Sequence, residues 1–195
     1  MIKANKILLG TLLAAIAALS ASTAATAALP GFYVGGQAGL GNTHYTSDDV
    51  DGINSASIDN TNFAGRLLGG YQFDNNWAFE MGYTQFTQSR FTNIQPGNVS
   101  GNIKEYSVDA LGKGILPLDN GFGLFGELGL AYVSAKSSGG ISGSAHHINP
   151  AFGAGASYDV TANIPVFIAW NHTQKLGGDV PNTDLFSLGV AYNFG

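Results

Sequence analysis

Bulky apolar residues alternate with small or polar ones over much of the chain, a period-two pattern that predicts strands with two unlike faces. Across two neighbouring segments the odd positions are Phe63, Leu67, Tyr71, Phe73, Trp77, Phe79, Met81 and Tyr83. The even positions there are Ala64, Arg66, Leu68, Gly70, Gln72, Ala78, Glu80, Gly82 and Thr84. Further on, Phe122, Leu124, Leu128, Leu130 and Tyr132 oppose Gly123, Glu127, Gly129 and Ala131, and Phe186, Leu188, Val190, Tyr192 and Phe194 oppose Ser187, Gly189, Ala191 and Asn193. The pattern predicts eight strands: Phe32 to Thr43, Asn62 to Phe73, Trp77 to Gln88, Lys104 to Pro117, Phe122 to Lys136, Asn149 to Val160, Ile164 to Lys175 and Thr183 to Phe194.

The connections alternate in length. Tyr45 to Thr61, Ser89 to Ile103, Ser137 to Ile148 and Leu176 to Asn182 are polar loops, whereas Asp74-Asn75-Asn76, Leu118 to Gly121 and Thr161-Ala162-Asn163 are tight turns. An all-β, eight-stranded antiparallel up-and-down transmembrane barrel has this arrangement, with short turns at one end and longer loops at the other. Its interior is only wide enough for side chains to fill, so the small and polar class suits the inside and the bulky class faces out, toward lipid. The aromatics fall toward the strand ends as two belts: Phe73, Trp77, Phe122, Tyr158 and Phe194 beside the short turns, and Phe63, Tyr83, Tyr106, Tyr132 and Phe186 nearer the long loops.

The N-terminus adds an address. Lys3 and Lys6 precede an apolar run from Ile7 to Leu19 and an Ala25-Thr26-Ala27 cleavage pattern, which predicts a signal peptide over 1–27 and a barrel domain over 28–195. The run is too short for the roughly 20 residues of a spanning helix. Charged residues make up only 11% of the chain, where about 25% is usual, and glycine occurs 28 times in 195 residues. The formal net charge of −5 becomes −7 once Lys3 and Lys6 leave with the signal, which argues against a nucleic-acid partner. Cysteine is absent, so no disulfide staples the fold.

Several local sequences resemble a known family. Gly69-Gly70-Tyr71-Gln72, Phe79-Glu80-Met81-Gly82-Tyr83, Lys113 with Pro117, and the closing Ser187-Leu188-Gly189-Val190-Ala191-Tyr192-Asn193-Phe194-Gly195 are similar, in order and spacing, to the transmembrane domain of the outer-membrane protein A family. The resemblance implies a Gram-negative outer-membrane barrel, inserted by the outer-membrane assembly machinery among lipid and lipopolysaccharide, with roles in envelope integrity, adhesion or narrow conductance. Full-length members continue into a periplasmic peptidoglycan-binding domain; this chain stops at Gly195, so wall tethering is not implied.

The inward parity carries Arg66, Glu80, Glu105, Asp109, Lys113 and Glu127. A tight turn at Asp119 to Gly121 sets Lys113 opposite Glu127, with Glu80 at similar height and Arg66 one strand over and higher. In relatives such a cluster is discussed as a gate, and Glu80 and Lys113 match it. The positions where relatives place further charged partners are Ser157 and Phe167 here, which favours a structural plug over a gate.

Other chemistry is sparse. His146 and His147 point to opposite sides of an extended chain, so no metal site is expected, and no cofactor. His172 and Thr173 are the only candidates for an enzyme at the barrel lip; no serine stands two residues from a histidine on an inward position, so no catalytic residues are expected. Gly121 to Gly126 fits G-x-G-x-x-G but opens a strand, and the Asn98 and Asn171 sequons have little meaning in a bacterial export product. The function expected is structural and adhesin-like, through long loops that meet a host or surface ligand, notably the acidic stretch with Asp48, Asp49, Asp51 and Asp59. The alternatives are a narrow porin-like channel and, further back, a lipid-modifying barrel enzyme.

Overall fold

The computed structural model describes residues 30–44, 57–58, 60–87, 89–94, 99–139, 143–176 and 181–195. Eight strands build the wall: β1 (Gly31–Thr43), β3 (Thr61–Gln72), β4 (Trp77–Phe86), β6 (Val99–Pro117), β7 (Phe122–Gly139), β8 (Gly143–Thr161), β9 (Ile164–Thr173) and β10 (Thr183–Asn193). Each pairs antiparallel with the wall strands before and after it, and β1 pairs with β10 from Tyr33↔Asn193 to Thr43↔Thr183, which closes the barrel. Closure leaves no wall strand with a bare edge over its shared length, so backbone polar groups are satisfied without solvent.

Local chemistry fixes the short turns. Between β3 and β4 the Asp74 carboxylate accepts the backbone N–H groups of Asn76 and Trp77, both at 2.8 Å. Between β6 and β7 a 3-10 turn at Asp119–Gly121 places Asn120 at φ 61° and Gly121 at φ 77°, the left-handed region that Asn and Gly tolerate. At the β8–β9 turn Asn163 Nδ2 donates to the Asn193 carbonyl at 2.9 Å and ties the turn to the last strand.

Three expected loops contain ordered strand. The stretch Tyr45 to Thr61 includes β2 (Ser57–Ile58), which pairs with β5 (Ser89–Ile94). β5 and the first residues of β6 occupy the expected loop from Ser89 to Ile103, while β7 and β8 run on into the stretch Ser137 to Ile148. These segments are mixed in sequence and lack the bulky alternation of the wall, so period two does not mark them as strands. Asp48, Asp49, Asp51, Asp59 and Gln88 lie outside the described residues.

The outward face is a continuous apolar band, with Leu67 and Leu128 each 70% exposed. Rings gather at its margins: Phe32 on Tyr71 at 4.8 Å, Phe122 on Tyr158 at 4.8 Å and Tyr192 on Phe194 at 5.0 Å near the short turns, and Tyr83 beside Tyr106 at 6.0 Å toward the other rim. The expectation that the bulky class faces only outward needs correction. Tyr33, Phe86, Phe125 and Phe167 turn inward and are buried. The glycines beside them explain how they fit: a Cβ at Gly155 or Gly189 would run into the Phe125 or Phe167 ring.

Candidate functional site

Midway along the lumen the inward-facing charges meet. Arg66 on β3 forks between two strands: Nη1 donates to Glu80 Oε1 on β4 at 2.7 Å, while Nη2 and Nε donate to the two carboxylate oxygens of Asp109 on β6 at 2.6 and 3.2 Å. Lys113 on β6 donates to Glu80 Oε2 at 3.0 Å and reaches Glu127 Oε1 on β7 at 2.9 Å. The Tyr33 hydroxyl on β1 adds a second donor to Glu80 Oε2 at 3.0 Å. Asn171 on β9 donates to Glu127 Oε2 at 2.9 Å and accepts from Gln37 Nε2 on β1 at 3.1 Å.

The result is one chain of contacts running from Asp109 through Arg66, Glu80, Lys113, Glu127 and Asn171 to Gln37, rooted on six of the eight wall strands. Two cations face three carboxylates in it. Glu80 sits at its centre, fully buried, with both oxygens engaged. Ions in a low-dielectric interior are tolerated only when paired and hydrogen-bonded, and this arrangement meets that condition. Glycine makes the room: at Gly82 a Cβ would strike the Arg66 guanidinium, and at Gly153 it would lie 2.8 Å from Asn171 Nδ2 and 3.1 Å from Glu127 Oε2.

Below this layer, toward the short turns, the lumen widens into a cavity of about 120 Å³ walled by Leu68, Ala78, Ile115, Phe125 and Phe167. The Lys113 ammonium lies 4.1 Å from the Phe125 ring centre, so the cation also rests on the aromatic floor. Above it a cavity of about 30 Å³ is bounded by Thr84, Glu105, Ser107 and Thr183. Glu105 stands in that upper half and accepts from the Thr183 hydroxyl at 2.9 Å. In the same upper half Asn149 is fully buried, and neither its Oδ1 nor its Nδ2 finds a partner among the described residues.

His172, a candidate for the lip, points outward, whereas Thr173 beside it points in. The His172 ring pairs with Asp184 Oδ1 at 2.8 Å, an oxygen that Trp170 Nε1 also reaches at 2.8 Å, and His44 holds Asp184 Oδ2 at 2.7 Å. Parity separates His172 from Thr173, so the pair cannot act on one substrate in the lumen. No group of three His, Asp or Glu suited to a metal ion occurs among the described residues.

Tyr33, Gln37, Phe125 and Asn171 complete the lumen but carry no charge to mark them. For Phe125 the available signal was parity, since it shares the inward phase of Glu127. Tyr33 and Gln37 lie on a strand so rich in glycine that the alternation fades.

Of the ten aromatics expected at the two margins, Phe63, Phe73, Trp77, Tyr83, Tyr106, Phe122, Tyr132, Phe186 and Phe194 are exposed, and Tyr158 is half-buried against Phe122.

Known proteins share this architecture. The chain is 29% identical to an uncharacterized protein of Coxiella burnetii, over 84% of this chain and 85% of that one. It is 28% identical to outer membrane protein A of Klebsiella pneumoniae, again over 84% of this chain but only 51% of the relative, so the chain spans about half the length of that protein. Among solved structures, Ail, the attachment invasion locus protein of Yersinia pestis in complex with the heparin analogue sucrose octasulfate, superimposes with a TM-score of 0.54 at 22% identity, covering 85% of this chain and 97% of Ail. The outer membrane protein beta-barrel domain matches residues 11–194. A closed wall that keeps its apolar face outside and its charges paired within is what the bacterial outer membrane requires, and the chain belongs to the family of outer membrane protein beta-barrel domains.

Proposed function

We propose that this outer-membrane barrel is a non-enzymatic surface-interaction module that meets partners through the strands and loops of its extracellular end. The observation that carries the reading is unequal strand length. A tilted strand crosses the hydrocarbon in about 9–11 residues; β4 and β9 have 10 each, whereas β6, β7 and β8 have 19, 18 and 19. Past Tyr106 and Tyr132, β6 and β7 continue as a paired ribbon to Gly101↔Gly139, about 20 Å along the strands at roughly 3.3 Å per residue. A stiff ribbon presents a binding surface at lower entropic cost than a free loop does. The acidic stretch with Asp48, Asp49, Asp51 and Asp59 adds a negative element that suits cationic rather than polyanionic partners.

The same proposal includes removal of residues 1–27, insertion by the outer-membrane assembly machinery and residence among lipopolysaccharide. The mid-lumen layer supports a plug rather than a pore: Arg66, Glu80, Lys113 and Glu127 bond one another across the barrel instead of lining an open path. The test is adhesion of cells displaying the barrel to host cells and matrix, with residues 137–143 removed from the β7–β8 hairpin and, separately, 45–56 removed. Binding lost in either variant, with the barrel still folded and protease-resistant, is expected; unchanged binding in both overturns the reading. Planar-bilayer recording of the wild type should give no steady conductance, and a stable open level would favour the channel.

A further inference from the structure

We propose that Lys104 and Lys136 form a clamp for the phosphate of an outer-leaflet lipid headgroup. The inference rests on the membrane part of the proposed function and goes beyond it by naming the site. The two lysines are direct cross-strand partners in the β6–β7 register, and both are exposed on the outward face. Direct partners hold their Cβ atoms about 5 Å apart, and like charges so placed repel. An anion between them converts that repulsion into two charge-assisted hydrogen bonds.

The protein does not supply that anion among its described residues. The described outward positions next to the pair are Asn102, Tyr106, Ser134, Ser144 and His146, none of them acidic. The nearest acids in sequence, Glu105 and Asp109, are buried and face the lumen. Scarcity sharpens the point. Beyond residue 27 the chain has only Arg66, Arg90, Lys104, Lys113, Lys136 and Lys175 as cations, and Arg66 and Lys113 are committed to the lumen. An acidic protein that sets two of its remaining four directly opposite each other gains nothing from the pair in isolation.

Height identifies the ligand. Lys104 lies one outward position beyond Tyr106 on β6, and Lys136 two beyond Tyr132 on β7. Aromatic rings of this kind mark the boundary between hydrocarbon and headgroups, so the ammonium groups reach the layer where lipid phosphates lie. A phosphomonoester carries about −1.5 to −2 charges near pH 7 and balances both lysines, whereas a diester balances one.

The test is a titration of phosphatidic acid into the barrel held in phosphatidylcholine nanodiscs, followed by NMR shifts of the Lys104 and Lys136 amides. The expected result is saturable one-site binding, at least tenfold weaker in the K104Q/K136Q double variant, retained in K104R/K136R and unchanged in K175Q. Phosphatidylglycerol should bind more weakly. Binding by the double variant within twofold of wild type, or shifts spread evenly around the extracellular rim, would overturn the proposal. So would inorganic phosphate or sucrose octasulfate saturating the same amides in neutral nanodiscs more readily than phosphatidic acid, since the patch would then serve soluble anions. Insertion and hairpin-dependent adhesion are read separately, so a negative result here leaves the proposed function standing.

Discussion

The extracellular and periplasmic halves of the lumen are built differently, although the same eight strands wall both. Above the Arg66 and Glu80 layer, polar side chains such as Thr84, Glu105, Ser107 and Thr183 are interleaved with small apolar clusters around Val133 and Phe86 and leave about 30 Å³; below it the side chains are mainly apolar and leave about 120 Å³. Short polar side chains above the layer, Glu105 bonded to Thr183 among them, alternate with small apolar ones and fill the space closely. Rings below it, Phe125 against Phe167 edge to face at 6.3 Å, fill space in large units and leave gaps that smaller residues do not close. The ionic layer is therefore a boundary between two kinds of packing.

The largest effect should come from breaking that boundary. Glu80→Gln leaves Arg66 and Lys113 each short of a charged partner, and should cost about 3–5 kcal/mol, the range for removing one member of a buried ion pair. Urea unfolding in lipid vesicles measures it; a loss under about 1 kcal/mol would mean that the layer is hydrated rather than a dry boundary. Phe125→Ala should cost about 3 kcal/mol by enlarging the lower cavity, read in the same assay. A smaller loss would show that the lower half collapses around the change.

Outside the lumen, Asp184→Asn weakens three contacts at the outer rim, where solvent and headgroups compete, and about 1 kcal/mol is expected. The smallest effect should have the opposite sign. Asn149→Val removes two buried polar atoms that have no protein partner, and should stabilise the barrel by up to about 1 kcal/mol. Destabilisation by more than that would place a bound water or other partner at Asn149.

Most of the wall was legible in the sequence, because lipid outside and a narrow interior impose opposite demands on alternate residues. The strands from Trp77 and from Phe122 begin where the alternation begins. Legibility ended where one of those demands lapsed. Beyond the bilayer the alternation is no longer imposed, so β5 and the first residues of β6 looked like loop. Inside, Arg66, Glu80, Lys113 and Glu127 were visible as charges on the inward phase, and their pairing followed once the turn at Asp119–Gly121 fixed the register. Which of them would touch was not readable for Arg66, whose long side chain reaches down from the level of Thr84 to Glu80 because Gly82 leaves the path open. Phe167 was read as a missing charged partner; it is instead part of the aromatic floor beneath Lys113.

The placement of the ion pairs also bears on the order of assembly. The contacts of Arg66 and Lys113 with Glu80 span 14 and 33 residues of chain, and that of Arg66 with Asp109 spans 43; all belong to the consecutive strands β3, β4 and β6. The seam between β1 and β10 joins residues as distant as Tyr33 and Asn193. Loops that short close at lower entropic cost, so the charges can neutralise one another in a partly formed sheet while the two ends of the chain are still apart. Early pairing of this kind would carry paired rather than naked charge toward the bilayer, and final closure adds neutral donors from the first strand, Tyr33 and Gln37, to carboxylates that already have cationic partners.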